Sequence, residues 1–297
     1  MKSPSTPREF IDFAERRFGE ADLFYGHGTD NPHDEAVYLV VRALAMPFDV
    51  ADTLLDGSLE KEQQQFLLTL IARRINERIP VAYLINEAWF AGMPFYVDQR
   101  VLIPRSPLAE LIESGFSPWI EGQGVQNILD IGTGSGCIAI ACALAFPGAG
   151  VDATDVDDAV LQVAKVNIDN YDLSDRVHLY KSVSFRELPQ RRYDLILSNP
   201  PYVNAAEMLS LPAEYRHEPV AALAAGVDGL AVVSEILREA GRYLSDHGVL
   251  IVEVGNSQEA VMEAFPKVPF TWLEFAYGGE GVFLLTAAEL NTHFINE

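Results

Sequence analysis

One stretch of this chain constrains its fold more than any other. Asn127-Ile128-Leu129-Asp130-Ile131 is a short, mostly apolar run. Gly132-Thr133-Gly134-Ser135-Gly136 then alternates glycine with small polar residues, and Cys137–Phe146 is continuously apolar and alanine-rich. A strand that feeds a glycine loop opening a helix is the first unit of a parallel α/β sheet. The glycines let the backbone turn sharply and let a ligand approach the main chain. The first turn of the helix offers unpaired N–H groups to an anionic group. The spacing is G-x-G-x-G and not the G-x-G-x-x-G of dinucleotide sites. Asp155 ends the next apolar run, 19 residues past Gly136, where a carboxylate accepts hydrogen bonds from ribose hydroxyls. A tight turn alone requires only glycine, but strand, loop, helix, strand and acid together point to a nucleoside-type cofactor. Its candidate contacts are Gly132, Thr133, Gly134, Ser135, Gly136 and Asp155. Asp130, inside the strand, reads equally as a cofactor contact or as a structural carboxylate bonding the loop.

Downstream the pattern continues. Strands are expected at Asn127–Ile131, Val151–Asp155, Val177–Tyr180, Tyr193–Ser198, Val249–Val254, Phe270–Phe275 and Val282–Leu285, with helical segments separating the first five. Such alternation makes a doubly wound parallel sheet. Tyr277–Gly281 is too short for a crossover helix, so the last two strands form an antiparallel hairpin. Upstream, Thr6-Pro7-Arg8-Glu9 has the form of a capping box with proline at the first helical position. Phe10, Phe13, Ala14 and Phe18 follow at helical spacing. Further helices are expected from about His33 to Ala45 and from about Leu59 to Arg78. The latter carries Phe66, Leu67, Leu70, Ile71 and Ile75 on one face and is stopped by Pro80. Ala88–Ile103 is aromatic and β-prone around a turn at Gly92-Met93-Pro94, a hairpin signal. The expected organisation is a helical domain over residues 1–85, a β-hairpin linker over 86–103 and an α/β domain over 104–297. The helical region carries no evident chemistry and reads as a stabilising cap or a substrate-recognition element.

Composition narrows the partners. Twenty-one Lys and Arg stand against 43 Asp and Glu, a net charge of −22. That field repels an extended phosphate backbone, and no basic block offsets it. A basic protein partner fits better. The longest apolar runs fall short of the about 20 residues of a membrane span, and Met1–Ser5 lacks the apolar stretch of a secretory signal. Cys137 and Cys142 lie five apart in one expected helix, so they are not read as a disulfide pair. A cytoplasmic protein without membrane contact is expected. The six histidines show no metal-ligand spacing. No metal is expected, and neither thiol has a histidine motif to activate it.

The strand Tyr193–Ser198 runs into Asn199-Pro200-Pro201-Tyr202. In an open α/β sheet ligands bind beyond the carboxyl ends of strands. Two prolines fix φ and supply no N–H donors, leaving a stiff loop with free carbonyls. The Asn199 carboxamide and a neighbouring carbonyl can accept both hydrogens of a planar NH₂ group, and Tyr202 adds an aromatic face. This suits an amide or exocyclic amine attacking an electrophilic methyl, with catalysis resting on positioning and electrostatics.

Asn199-Pro200-Pro201-Tyr202, downstream of Asp130-Ile131-Gly132-Thr133-Gly134-Ser135-Gly136, resembles the HemK-like protein-glutamine N5-methyltransferases, over nearly the whole chain. Ile103-Pro104-Arg105-Ser106-Pro107-Leu108-Ala109-Glu110 resembles the branch acting on a large-subunit ribosomal protein and differs from the I-P-R-P-D-T-E of the release-factor branch. Tyr215–Pro219, Glu253–Ser257 and Pro269–Phe275 also look like the ribosomal branch. The resemblance implies a class I methyltransferase sheet with a terminal antiparallel hairpin and S-adenosylmethionine as cofactor. It assigns Gly132, Gly134, Gly136 and Asp155 to that cofactor and Asn199 and Pro200 to the glutamine amide, with Tyr202 packing beside the reacting group; Asn199 borders both ligands. The implied substrate is a basic large-subunit ribosomal protein. The family usually has S-D-L-F or S-D-W-F after the third strand, whose acid faces the adenine amino group. Here Ser182-Val183-Ser184-Phe185 stands instead, so adenine recognition falls to backbone groups or to Phe185, and weaker cofactor binding is expected. His217 reads as a substrate contact or a brace of the active-site loop. A release-factor methyltransferase, an adenine amino-methyltransferase on nucleic acid and a non-catalytic ribosome-assembly factor are the alternatives. A basic channel or base-flipping apparatus would mark the adenine enzyme, and absence of turnover would mark the assembly factor.

Overall fold

The computed structural model describes residues 3–120 and 124–295; Met1 and Lys2, read above for a signal, lie outside them. Two compact units are present. The first comprises the described residues up to Ala88, with Val97–Gln99 and Pro212–His217; the second comprises Trp89–Tyr96, Arg100–Leu211 and the described residues from Glu218 onward.

The first unit is helical, with α1 (Pro7–Glu20), α2 (Pro32–Ala43), α3 (Asp52–Leu55), α4 (Lys61–Glu77) and α5 (Val81–Ile85). Thr6 caps α1 by accepting the Glu9 N–H, as expected, but the Glu9 carboxylate reaches back to the N–H and hydroxyl of Ser5. Phe10, Ala14 and Phe18 are buried. On α4 the buried stripe is Leu67, Leu70, Ile71 and Arg74. Phe66, expected on that face, is 49% exposed. Arg74 takes the next helical repeat of the stripe and is fully buried, where burial of an unpaired charge would be prohibitive. Its guanidinium donates to Glu35 Oε2 at 3.0 Å, Glu214 Oε1 at 3.1 Å and the Phe24 carbonyl at 2.9 Å. His217 Nε2 donates to the Glu77 carbonyl at 2.8 Å, an anchoring contact for the segment that carries it.

The hairpin of β1 (Glu87–Phe90) and β2 (Met93–Tyr96) turns through Ala91 and Gly92, both at positive φ. That is the two-residue turn whose twist matches paired strands.

The second unit is built on a seven-stranded sheet. Helix α6 (Leu108–Glu113) precedes β3 (Asn127–Ile131), α7 (Cys137–Ala145), β4 (Gly150–Asp155), α8 (Asp158–Asn170), β5 (Val177–Lys181), β6 (Tyr193–Ser198), α9 (Ala205–Ser210), α10 (Ala231–Ala240), β7 (Leu244–Glu253), α11 (Gln258–Ala264), β8 (Thr271–Trp272), β9 (Val282–Thr286) and α12 (Ala287–Leu290). The strand order is β5-β4-β3-β6-β7-β9-β8, parallel except for β9, which is antiparallel to both neighbours. Central strands β3 and β6 are buried almost throughout, as a sheet covered on both faces requires. One expectation fails: no helix separates β5 from β6. Residues 182–192 hold Ser184 at φ +48° and Pro189, and run through turns instead. The expected strand Phe270–Phe275 shortens to Thr271–Trp272 at the sheet edge. Among the described residues no helix is long and apolar enough to cross a membrane.

Candidate active site

Three adjacent strand ends build the site. β3 lies between β4 and β6, with Ile131 beside Thr154 on one side and Ser198 on the other. The chain winds outward from β3 through β4 to β5, then restarts at β6 on the other side. β3 and β6 therefore flank the reversal of strand order, where crevices form beyond the carboxyl ends. From these ends spring the glycine loop, Asp155 and Asn199-Pro200-Pro201-Tyr202.

Gly132, Gly134 and Gly136 hold φ of +74°, +55° and +81°. A Cβ on Gly132 or Gly134 would meet nothing within 4 Å, so the backbone angle imposes glycine there and open space lies over the loop. A Cβ on Gly136 would lie 3.3 Å from the Ala164 Cβ, so this glycine also lets α7 and α8 close together. The N–H groups of Gly132 and Thr133 both donate to the Thr154 carbonyl, at 2.9 and 2.8 Å. Asp155 Oδ2 accepts the Gly134 N–H at 3.1 Å; Oδ1 accepts the N–H groups of Val156 at 2.8 Å and Asp157 at 3.4 Å. A carboxylate has about four acceptor positions, so capacity remains for a ligand hydroxyl. Burial raises the Asp155 carboxyl above the ordinary range, against the pull of those amides.

The cleft over this loop is lined by Gly132, Gly134, Asp155, Asn199, Pro200 and Pro201, with apolar walls from Val156, Val160, Val183, Ala221 and Val232 and an acid, Glu235. Asp130, Thr133, Ser135 and Gly136 stand behind that lining. Asp130 is fully buried and accepts the Thr133 hydroxyl at 2.6 Å, the structural alternative raised for it above. Burial pushes its carboxyl up to about 7. Phe185, expected at the cofactor, is placed instead in the core, its ring stacked on Tyr243 at a centroid distance of 4.6 Å. A large ring gains more from that burial than from a half-open cleft wall. Val183, 43% exposed, lines the cleft in its stead. Thr154 joins the site with no motif to mark it in the sequence. Its buried hydroxyl has no hydrogen-bond partner, and the residue lines the cleft. A threonine in an otherwise buried strand was the available signal.

Asn199 is half-buried, and among the described residues its carboxamide makes no hydrogen bond. Tyr202 lies beyond the cleft lining. Its ring covers Gly255, where a Cβ would lie 2.7 Å from Cε2, and its hydroxyl donates to Glu253 Oε1 at 3.2 Å. Among the described residues no three His, Cys, Asp or Glu side chains gather as a metal site. Cys137 and Cys142 are buried free thiols, and burial pushes the Cys137 thiol up to about 12, away from the reactive thiolate.

Comparison with known proteins agrees with this geometry. The methyltransferase small domain model matches residues 118–215. The chain is 48% identical to a ribosomal protein uL3 glutamine methyltransferase of Burkholderia pseudomallei, over 96% of this chain and 95% of that one. It is 47% identical to the protein of the same name from Neisseria gonorrhoeae, over 96% of both. Among solved structures, the hMettl16 catalytic domain in complex with a MAT2A 3'UTR hairpin superposes with a TM-score of 0.52 at 21% identity, covering 77% of this chain and 82% of that one. That likeness concerns the fold alone, a class I methyltransferase sheet. Identity near one half over nearly full length establishes more: the chain belongs to the family of ribosomal protein uL3 glutamine methyltransferases.

Proposed function

We propose that this protein transfers a methyl group from S-adenosylmethionine to the side-chain amide nitrogen of a glutamine in the large-subunit ribosomal protein uL3, in the cytoplasm. The observation that carries this reading is the unpartnered Asn199 carboxamide in the cleft beside the glycine loop. The residues there fit a nucleoside group: positive-φ glycines with open space above them, residual acceptor capacity on Asp155 and an unpaired Thr154 hydroxyl. Gly132, Gly134 and Asp155 would hold the cofactor from the cleft, with Asp130, Thr133, Ser135 and Gly136 shaping the loop from behind. The cofactor supplies an electrophilic sulfonium methyl.

An amide nitrogen is a weak nucleophile because its lone pair is delocalised into the carbonyl. Acceptance of its two hydrogens by the Asn199 carboxamide oxygen and the Pro200 carbonyl raises its electron density and aims the lone pair. The rigid prolines pre-set the backbone carbonyl, so little backbone reorganisation accompanies reaction. Tyr202, two residues past Pro200 and outside the cleft lining, would flank the acceptor amide from the side of Gly255. No strong base is required, since the proton leaves a nitrogen already made cationic. The net charge of −22 favours a basic protein acceptor over nucleic acid. Residues 1–85, 86–103 and 104–297 serve as helical domain, hairpin linker and methyltransferase domain, with Pro212–His217 joined to the helical unit. The test offers labelled cofactor together with purified uL3, a release factor and ribosomal RNA. Label on uL3 alone is expected; label on the release factor or RNA would refute the substrate assignment.

A further inference from the structure

Two separate segments, at Gly229 and over Glu253–Ser257, converge on Tyr202, and a third, at Ser106, braces Glu253. Its hydroxyl donates to Glu253 Oε1, and Ser106 Oγ donates to Glu253 Oε2 at 2.5 Å. Its carbonyl accepts the Ser257 hydroxyl at 2.7 Å. Its ring rests on the backbone of Gly255, where a Cβ would approach to 2.7 Å. A Cβ on Gly229 would lie 2.5 Å from the Tyr202 carbonyl and 2.6 Å from Ser257 Oγ, so the backbone is enclosed as closely as the ring. Glu253 is only 6% exposed, at the end of β7. Neither cofactor binding nor acceptance of the amide hydrogens uses it. Burial pushes its carboxyl up, while the Ser106 and Tyr202 hydroxyls and the Arg105 charge draw it back. Arg105 is itself held by a two-point bond to Glu218, at 2.6 and 2.8 Å.

A carboxylate buried at this cost yet spent wholly on two hydroxyls acts as an orienting group. We propose that Glu253, braced by Ser106, is a positioning residue that fixes the phenol of Tyr202 and with it the ring plane flanking the acceptor amide. The inference rests on the reading of Asn199, Pro200 and Tyr202 as the amide clamp. Two oxygens of one rigid carboxylate each accept one hydroxyl, so the phenol has a single favoured direction. Gly255 allows the ring to lie flat on the main chain, and Ser257 pins the backbone from which the ring projects. Loss of the carboxylate frees the ring about its side-chain torsions without removing any group that touches substrate.

The test uses the full chain carrying 3-fluorotyrosine at position 202, with Glu253→Gln, Glu253→Leu and Ser106→Ala variants. Fluorine NMR of the wild type is expected to give one sharp resonance. Glu253→Leu shifts and broadens it, Ser106→Ala does so less, and Glu253→Gln restores most of the wild-type signal. In parallel, Glu253→Leu lowers kcat for glutamine methylation roughly 10- to 100-fold, because misorientation acts in the transition state. KM for the protein acceptor stays within about twofold. A resonance unchanged in both Glu253→Leu and Ser106→Ala would overturn the proposal even if Glu253→Leu proved poorly folded. So would a shifted resonance with unchanged kcat. A wild type that methylates no glutamine would sink the clamp reading instead, and the resonance alone would then decide whether Glu253 holds the ring.

Discussion

The buried arginine of the helical unit and the cleft of the sheet unit each gather polar groups, and these two clusters use them in opposite ways. In the helical unit Arg74, Glu35 and Glu214 are buried and spent on one another and on the Phe24 backbone. In the sheet unit Asn199 and Thr154 border a cleft with no partner for their side-chain polar atoms among the described residues, and Asp155 keeps part of its capacity open. A polar centre closed on itself holds chain segments together; a centre left open awaits a ligand. Glu214 makes the point for the first, since it ties a segment far along the sequence to α4 and to the Phe24 N–H.

The closed centre depends most on Arg74. Arg74→Met leaves Glu35 and Glu214 buried without their shared cation, and is expected to cost about 3–5 kcal/mol of stability in urea unfolding. A loss below about 1 kcal/mol would show that the closed centre contributes little beyond what a surface pair does. Asn199→Ala should do the reverse. It lowers kcat for glutamine methylation about 10²- to 10³-fold, as removal of one pre-set polar group commonly does, and leaves the unfolding midpoint unchanged.

Behind the glycine loop, Asp130 sharpens the contrast through pH. Its folded value of about 7 stands above the ordinary 3.8, so the native state binds the proton more tightly than the unfolded chain. Stability from this group is complete below about pH 4 and declines as pH rises towards 7, with a slope of at most about 1.4 kcal/mol per pH unit. Asp130→Asn should flatten that slope; an unchanged slope would place its origin elsewhere. The smallest effect concerns Val183. Val183→Asp puts an acceptor on the cleft wall and should tighten S-adenosylhomocysteine binding about tenfold in calorimetry. No tightening would mean that the wall does not face the adenine amino group.

The sheet unit was the more legible in sequence because its signals are local. Asn127–Ile131, the glycine loop and Asp155 fall within one strand-helix-strand unit, and strands buried on both faces read as apolar runs. The terminal antiparallel pair followed from a linker too short for a helix. What escaped depends on contacts between distant segments. Arg74 sits at helical spacing from Leu70 and Ile71, yet its partners Glu35 and Glu214 lie 39 and 140 residues away. Phe185 was drawn towards the cofactor by its place after β5, whereas its ring found Tyr243 from another part of the chain. The motifs around Arg105, Glu218 and Glu253 were visible as strings, but their mutual bonding was not. The helix expected between β5 and β6 failed for a local reason, the turns at Ser184 and Pro189.

In the proposed arrangement the open polar groups at the strand ends hold a glutamine amide beside a bound cofactor. Its most direct test is Asn199→Ala with two readouts on the same preparation: cofactor affinity by calorimetry, and the single-turnover rate of methylation located by mass spectrometry on a uL3 glutamine. Nearly unchanged affinity is expected, with a rate reduced at least about a hundredfold. An unchanged rate, or a rate loss wholly explained by lost cofactor affinity, would contradict it.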